Sequence, residues 1–198
     1  MIAADRLIHR YGWRSWRWAR RISLRVRTGS LPSALVVNVP EAEAAVGSIR
    51  AAHDLGSRFG IPAHITVLAP FLASRRRTPS VTAQLAAICS STAIFDFRLT
   101  SVRRFPGVTY LAPAEPQPFV DLTERVWATW PECPPFGGVF PQIVPHLTLA
   151  EGLHDAGQIR HAVLPALPID ATARGVTLLC QQSDGWWRPD HFFPFGAQ

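Results

Sequence analysis

Two short strings share one pattern, and this repetition constrains the fold more than any other feature of the sequence. Residues 62–67 read PAHITV and residues 144–149 read VPHLTL, with the two histidines 82 positions apart. Polar and apolar residues alternate after each histidine, which is the period of a half-buried β-strand. Each strand therefore carries a histidine and a threonine on one face and apolar residues on the other. The four residues on these faces are His64, Thr66, His146 and Thr148.

The stretches around the two strings follow the same order of predicted elements. Apolar periodicity and the positions of proline and glycine predict strand, helix, H-x-T strand, helix and strand in each half. The predicted spans are 33–39, 41–55, 64–71, a helix from 78 and 94–102, and then 107–112, 118–130, 145–150, 155–164 and 169–181. Such a duplication predicts a pseudo-twofold arrangement with the two motif strands facing each other. A hairpin turn is expected at 183–185.

The positive charge of the chain is concentrated at its beginning. Residues 1–30 hold eight arginines and one acid, whereas the rest of the chain holds 12 arginines and 13 acids. Three tryptophans lie among these arginines, a composition that suits RNA or an acidic membrane surface. The simpler interpretation is a poorly packed Arg/Trp-rich extension over 1–32, arising from a start codon assigned too far upstream. Only this segment supports an argument for a nucleic-acid partner based on charge.

Several classes of protein are excluded or disfavoured by composition. The chain contains no lysine, which excludes a Walker A lysine, a Schiff-base lysine and a lysyl-nucleotide intermediate. Cys89, Cys133 and Cys180 are widely spaced, as is typical of reduced structural thiols. The early residues lack a long apolar run, and the longest uncharged run, 78–95, is rich in polar residues. We predict a cytoplasmic monomer without stable membrane insertion, cofactor or metal.

The paired H-x-T motifs in two pattern-repeated halves resemble the 2H phosphoesterase superfamily, and within it the 2′-5′ RNA ligase-like proteins. The strings PAHITVL (62–68), RFPGVTYLAP (104–113) and VPHLTLA (144–150) look like the bacterial members of that group. The resemblance extends over roughly 33–195. It implies an α+β bilobal duplicated fold, with two antiparallel sheets, outer helices and a central cleft carrying the paired motifs. The corresponding domain would be 33–198, with lobes of about 33–103 and 104–198.

The resemblance also implies catalysis by His64, Thr66, His146 and Thr148. Opening a cyclic phosphodiester requires a base and an acid on opposite sides of phosphorus, and histidine exists in both forms near neutral pH. Threonine hydroxyls can donate to the non-bridging oxygens as negative charge develops. We predict a metal-independent phosphodiesterase acting on 2′,3′-cyclic phosphates of nucleotides or RNA ends, with 2′-5′ ligation as the reverse reaction. The sequence does not assign the acid and the base.

Other interpretations of these residues remain open. A non-catalytic module could hold RNA or phosphate with the cleft and the basic tail, and a phospholipid or other non-nucleotide phosphodiester is a further possible substrate. Tyr110 and Arg104 are weaker candidates for substrate binding, and Tyr110 also suits a half-buried core position. A metal site built from His146, Glu151 and His154 lacks a known ligand spacing.

Overall fold

The computed structural model describes residues 31–196, which form eight strands and five α-helices. The strands are β1 (Ser33–Asn38), β2 (His64–Leu68), β3 (Phe95–Phe105), β4 (Val108–Pro113), β5 (Leu147–Glu151), β6 (Ile169–Ala173), β7 (Gly175–Gln181) and β8 (Trp187–Pro194). The helices are α1 (Glu43–His53), α2 (Leu55–Arg58), α3 (Pro79–Ser90), α4 (Gln117–Thr129) and α5 (Ala156–Val163). The predicted order of elements in each half is confirmed, as is the hairpin between β7 and β8. Most of the predicted Arg/Trp-rich extension lies outside the described residues.

The strands form two four-stranded antiparallel sheets, which confirms the α+β fold class. The first sheet has the order β2-β1-β7-β8 and the second has the order β5-β4-β3-β6. Each H-x-T strand, β2 or β5, is therefore the outermost strand on one side of its sheet. Its inner neighbour is the first strand of its own half, β1 or β4, paired in an antiparallel register.

The division into sheets does not follow the predicted lobe boundary near residue 103. The first sheet combines the first two and the last two strands, while β3 to β6 form the second. The backbone amide of Gln181 also donates a hydrogen bond to the carbonyl of Pro32 at 3.0 Å, which connects β7 to the residue before the predicted boundary. Periodicity in the sequence defines the strands but not their partners, because pairing depends on residues far apart in the chain.

Two predicted elements are divided in the structure. The strand predicted at 169–181 is two strands, β6 and β7, which are separated at Arg174 and belong to different sheets. Gly175 follows this break, where an added Cβ would lie 2.4 Å from the Phe193 carbonyl oxygen. The helix predicted at 41–55 begins as a 3₁₀ turn, Pro40–Ala42, and ends at His53 before the short helix α2.

Helices from each half cover the motif strand of the other half. Helix α1 contacts β5, α4 contacts β2, and β2 also contacts β5. The apolar faces of the motif strands point into the core and are almost completely buried: Ile65, Val67, Leu147 and Leu149. Burying one such side chain stabilises a fold by about 1.5–3 kcal/mol. The apolar side chains therefore fix which face of each strand the histidine and threonine occupy.

Candidate active site

The four motif residues lie on the faces that the alternation predicts. His64 and Thr66 are half-buried, in contrast to the buried residues between and after them. His146 and Thr148 have the same intermediate exposure. Because β2 contacts β5 and the charge of His146 affects the pKa of His64, the structure brings both motifs to one site.

Both histidine rings are held by the same local hydrogen bond. The Nδ1 atom of His64 is 2.8 Å from the carbonyl oxygen of Pro62, and Nδ1 of His146 is 2.6 Å from that of Val144. A carbonyl oxygen can only accept, so Nδ1 carries the proton in each ring. Within residues 31–196 neither Nε2 atom has a hydrogen-bond partner. Each neutral ring therefore presents an unpaired Nε2 lone pair, the atom that accepts a proton.

The surroundings lower the pKa of both rings. Burial lowers the pKa of His64 to about 4, and the charges of Arg50 and His146 act in the same direction. The bond to Pro62 and the carboxylate of Glu43 oppose this shift. Burial also lowers the pKa of His146, against its hydrogen bond to Val144. Both rings are consequently neutral at pH 7.

The two threonines occupy equivalent places beside the histidines. In the strand registers Thr66 lies opposite Val36 of β1, and Thr148 lies opposite Tyr110 of β4. Among the described residues neither hydroxyl forms a hydrogen bond. Two hydroxyls and two Nε2 atoms therefore form a polar group that can donate to an anion and exchange protons with it.

The ring of His146 lies among three aromatic side chains. Its centroid is 5.3 Å from that of Phe105, 5.2 Å from that of Tyr110 and 6.0 Å from that of Phe136. The Phe136 ring is nearly parallel to the imidazole, at 24°. Its backbone has a left-handed conformation, with φ 50° and ψ 32°, which is rare for a bulky residue. Sequence reasoning missed Phe105 and Phe136, although the string PPFGG around Phe136 marks an unusual turn.

The structure brings Tyr110 to the site but places Arg104 elsewhere. Tyr110 is 4% exposed, its ring stacks on Phe105 at 4.3 Å, and burial raises the pKa of its hydroxyl. Across β3 and β4 its partner is Arg103, whereas Arg104 lies opposite Thr109. Successive side chains of a strand point to opposite faces. Arg103 is therefore the arginine on the face of Tyr110, and Arg104 points to the other face.

Asn38 is a further polar residue beside the site. It lies opposite His64 in the pairing of β1 with β2, and its Nδ2 donates to Oγ1 of Thr177 at 3.0 Å. Its Oδ1 atom is buried without a hydrogen-bond partner in the part of the chain that the structure describes. The only sequence signal for this residue was an amide near the end of an otherwise apolar strand.

The disfavoured alternative of a metal site at His146, Glu151 and His154 finds no cluster in the described residues. Nε2 of His154 is instead 2.7 Å from Oγ1 of Thr109. Between residues 31 and 196 no three histidine, cysteine, aspartate or glutamate side chains lie close enough to share a metal ion.

None of the helices in the same range has the length and apolar character that crossing a bilayer requires.

Solved structures with the same fold place the chain among LigT-like α+β proteins. Escherichia coli LigT, crystallised with 3′-AMP, is 15% identical with a TM-score of 0.55, covering 84% of this chain and 98% of LigT. The Thermus thermophilus protein TT0787 is 19% identical with a TM-score of 0.58, covering 84% of this chain and 99% of TT0787. No curated protein sequence matches the chain significantly.

The family is identified by a sequence model rather than by these distant structures. The model of the 2′-5′ RNA ligase superfamily matches residues 39–185, which include both H-x-T motifs. The chain therefore belongs to the 2′-5′ RNA ligase superfamily, and its resemblance to the 2H phosphoesterases is confirmed. Membership supports an activity of the phosphodiesterase or ligase type.

Proposed function

We propose that this protein is a metal-independent phosphodiesterase that opens 2′,3′-cyclic phosphates of nucleotides or RNA ends. The observation that carries the proposal is the matched geometry of the two histidines. Each ring is fixed through Nδ1 by a backbone carbonyl, which leaves Nε2 for proton transfer. Two such rings supply a base and an acid, so the reaction requires no other proton donor or acceptor. Reversible 2′-5′ ligation would use the same groups in the opposite direction.

The different charges that act on the two rings support distinct roles for the two histidines. His64, whose pKa is lowered to about 4, accepts a proton from water through Nε2 as the water oxygen attacks phosphorus. His146, once protonated at Nε2, gives its proton to the ribose oxygen as the bond from that oxygen to phosphorus breaks. The bound phosphodiester anion favours this protonated form, because it lies close to the ring. The hydroxyls of Thr66 and Thr148 donate to the non-bridging oxygens.

The relatives and the His146 side of the site support a nucleotide as the substrate class. Escherichia coli LigT has been crystallised with 3′-AMP, with ATP and with NADP+, all of which are nucleotides. Tyr110 contacts the His146 ring and remains our candidate for a substrate contact, with Arg103 in place of Arg104 as the nearby cation. We propose a cytoplasmic monomer that acts on an RNA end or a small cyclic phosphate.

The test is the turnover of 2′,3′-cyclic nucleotide monophosphates in the presence of EDTA. We expect the unmodified protein to be active and His64→Ala and His146→Ala each to lose about 10²–10⁴-fold in kcat. His161→Ala, which alters an exposed histidine of α5, is the matched control and should retain full activity. Activity that disappears in EDTA, or that survives both substitutions, would contradict two-histidine catalysis. The position of the product phosphate identifies which bond breaks.

The alternative of a non-catalytic RNA-binding module rests on the eight arginines and three tryptophans of residues 1–30. If no cyclic nucleotide is turned over, RNA binding should be compared between the full chain and a chain beginning at residue 31. Binding that needs the first 30 residues and weakens steeply with salt would support the module. Binding of 3′-AMP that is independent of those residues would instead indicate a phosphate site formed by the two motifs.

A further inference from the structure

Helix α1 carries an arginine that is almost completely buried. Arg50 is 1% exposed, and its Nη2 atom forms an ion pair with Oδ2 of Asp54 at 2.7 Å. Nη1 lies 3.7 Å from Oε1 of Glu43. Arginine is rarely buried to this extent, because the free-energy cost of removing its charge from water usually exceeds the stabilisation that an ion pair provides. A buried charge of this kind therefore requires an explanation beyond stability.

The same guanidinium binds backbone atoms next to both H-x-T motifs. Nε donates to the carbonyl oxygen of Thr148, the threonine of the second motif, at 3.2 Å. Nη2 donates to the carbonyl oxygen of Ile61 at 3.2 Å, in the segment that enters the first motif. Thr148 belongs to the second sheet, whereas Ile61 leads into the first sheet. One rigid planar group thus connects the two sheets at the site.

Glu43 strengthens the connection on the side of the first motif. Its Oε1 atom accepts a hydrogen bond from the backbone amide of Ala63, the residue before His64. The carbonyl of Pro62, which fixes the His64 ring, therefore lies between two residues that are both held by α1. A shift of α1 would move the hydrogen-bond acceptor that orients the His64 ring.

We infer that Arg50 is a positioning residue that fixes the two H-x-T motifs relative to each other by holding the Thr148 and Ile61 carbonyls on one guanidinium. The inference rests on the proposed function, because it assigns Arg50 a part in two-histidine catalysis. Arg50 acts through the backbone of the motifs and does not contact the reacting phosphate.

The opposite helix contains no equivalent group. Helix α4 covers β2 as α1 covers β5, but its buried residues are apolar except for Thr123. The hydroxyl of Thr123 donates to the carbonyl of Phe119 within the same helix. Within residues 31–196 the polar connection between the motifs therefore comes from α1, and pseudo-symmetry alone does not account for it.

The first test uses Arg50→Lys, which keeps the positive charge but cannot reproduce the planar set of donors. We expect kcat for a cyclic nucleotide to fall roughly 10- to 100-fold while KM changes less than about threefold, since small displacements of catalytic groups cost this much. The matched control is Arg58→Lys, because within residues 31–196 the Arg58 side chain is bonded only to the carbonyls of Ala51 and Ala52 at the end of α1. A folded Arg50→Lys protein with kcat within about twofold of the parent would overturn the inference.

The second test requires no substrate and is independent of the proposed function. Three charged groups act on the His64 ring: Arg50 and Glu43 from α1, and His146 from the segment before β5. The variant Arg50→Gln with Asp54→Asn removes both charges of the buried pair together. The asparagine amide keeps an oxygen that can accept from the Gly56 amide, as the Asp54 carboxylate does at the start of α2. Asp54→Asn alone is the control.

The pKa of His64 is then measured from the imidazole nitrogen signals during a pH titration, with His64→Gln used for assignment. We expect the pKa to stay near the parent value in Asp54→Asn and to rise by about one pH unit in the double variant. An unchanged pKa in the folded double variant would show that the guanidinium is not held beside the first motif, and would overturn the inference. If the parent protein has no turnover but the pKa of His64 still rises in the double variant, the proposed function is wrong. The positioning of the first motif by Arg50 would still be supported.

Discussion

The two copies of the H-x-T motif are alike in their backbone and differ in their surroundings. Each histidine donates from Nδ1 to the carbonyl two residues earlier, and each threonine follows on the same face. Charged side chains of α1, Arg50 and Glu43, act on His64. Aromatic rings surround His146 instead. Duplication has therefore preserved the orientation of the rings, while the neighbouring elements have given the two rings different electrostatic environments.

This difference bears directly on acid–base chemistry. A general base must be neutral before the reaction, and burial together with Arg50 keeps His64 neutral down to about pH 4. Among the described residues no cation contributes to the lowered pKa of His146, so none opposes its protonation when a phosphodiester anion approaches. In the mechanism that we propose, the two H-x-T motifs perform opposite steps because their surroundings differ.

The largest expected effect is on kcat with a substrate whose leaving group needs no proton, which distinguishes the acid from the base. A nucleoside p-nitrophenyl phosphate releases p-nitrophenolate, which leaves without taking a proton. We expect His64→Ala to remain roughly 10²–10⁴-fold slower than the parent on this ester, because the base is still needed. For His146→Ala, most of the loss in kcat seen with a cyclic nucleotide should be absent with this ester, because its leaving group needs no acid. The measurement is kcat for the two variants on the two substrates.

If His64→Ala recovers on the p-nitrophenyl ester and His146→Ala does not, His146 is the base and His64 is the acid. Equal losses on both substrates would show that neither histidine acts as a separate acid. His161→Ala again serves as the control, since its ring is exposed on α5.

A smaller effect is expected on stability as a function of pH. The pKa of His64 is lowered to about 4 in the folded protein from 6.5, so between these values the unfolded chain binds more protons. Its contribution to stability is complete above pH 6.5 and is lost as the pH falls toward 4. We expect about 2 kcal/mol of this loss between pH 7 and pH 5, measured by urea unfolding.

His64→Gln should remove this part of the pH dependence, and His146→Gln should remove the part that comes from the lowered pKa of His146. The same loss in the parent protein and in His64→Gln would show that the pKa of His64 is not lowered in the folded protein. The two glutamine variants have the same change in side chain and are therefore matched to each other.

The aromatic surroundings of His146 can be tested at Phe136. The flat ring lies nearly parallel to the imidazole at 6.0 Å, and leucine cannot cover the imidazole in the same way. We expect Phe136→Leu to reduce kcat/KM about tenfold through loss of ring orientation. Phe140→Leu is the control, because Phe140 is 45% exposed and contacts Phe136. Equal kcat/KM values for the two variants would show that stacking on His146 is unimportant.

The charged surroundings of His64 can be altered at Asn38. Asn38 lies opposite His64, where side chains on paired strands are in contact. Asn38→Asp places a carboxylate beside the imidazole, so the pKa of His64 should rise by about one pH unit. The acidic limb of the kcat/KM profile should move to higher pH by the same amount. Thr177→Val is a useful comparison, since it removes the hydrogen bond from Asn38 without adding a charge. An unmoved acidic limb would exclude His64 as the base.

Sequence reasoning predicted the elements better than it predicted their partners. The positions of both motif strands and of α4 agree with the structure to within two or three residues. The exchange of strands between sheets was not predicted, because β1 near the start of the described chain pairs with β7 near its end. The same limitation explains Arg104, whose face depends on the register between β3 and β4. A shift of one residue in the pairing register moves every side chain of a strand to the opposite face of the sheet.

The sequence by itself determined the two motif strands, the faces of their histidines and threonines, and the family of the chain. These features depend on local alternation, which the backbone geometry of a strand imposes wherever one face is buried. Only the tertiary structure decided that Arg50 reaches both motifs, that Phe105 and Phe136 surround His146, and that Arg103 shares a face with Tyr110. Those contacts join residues distant in the chain, and their geometry is set by packing between sheets and helices.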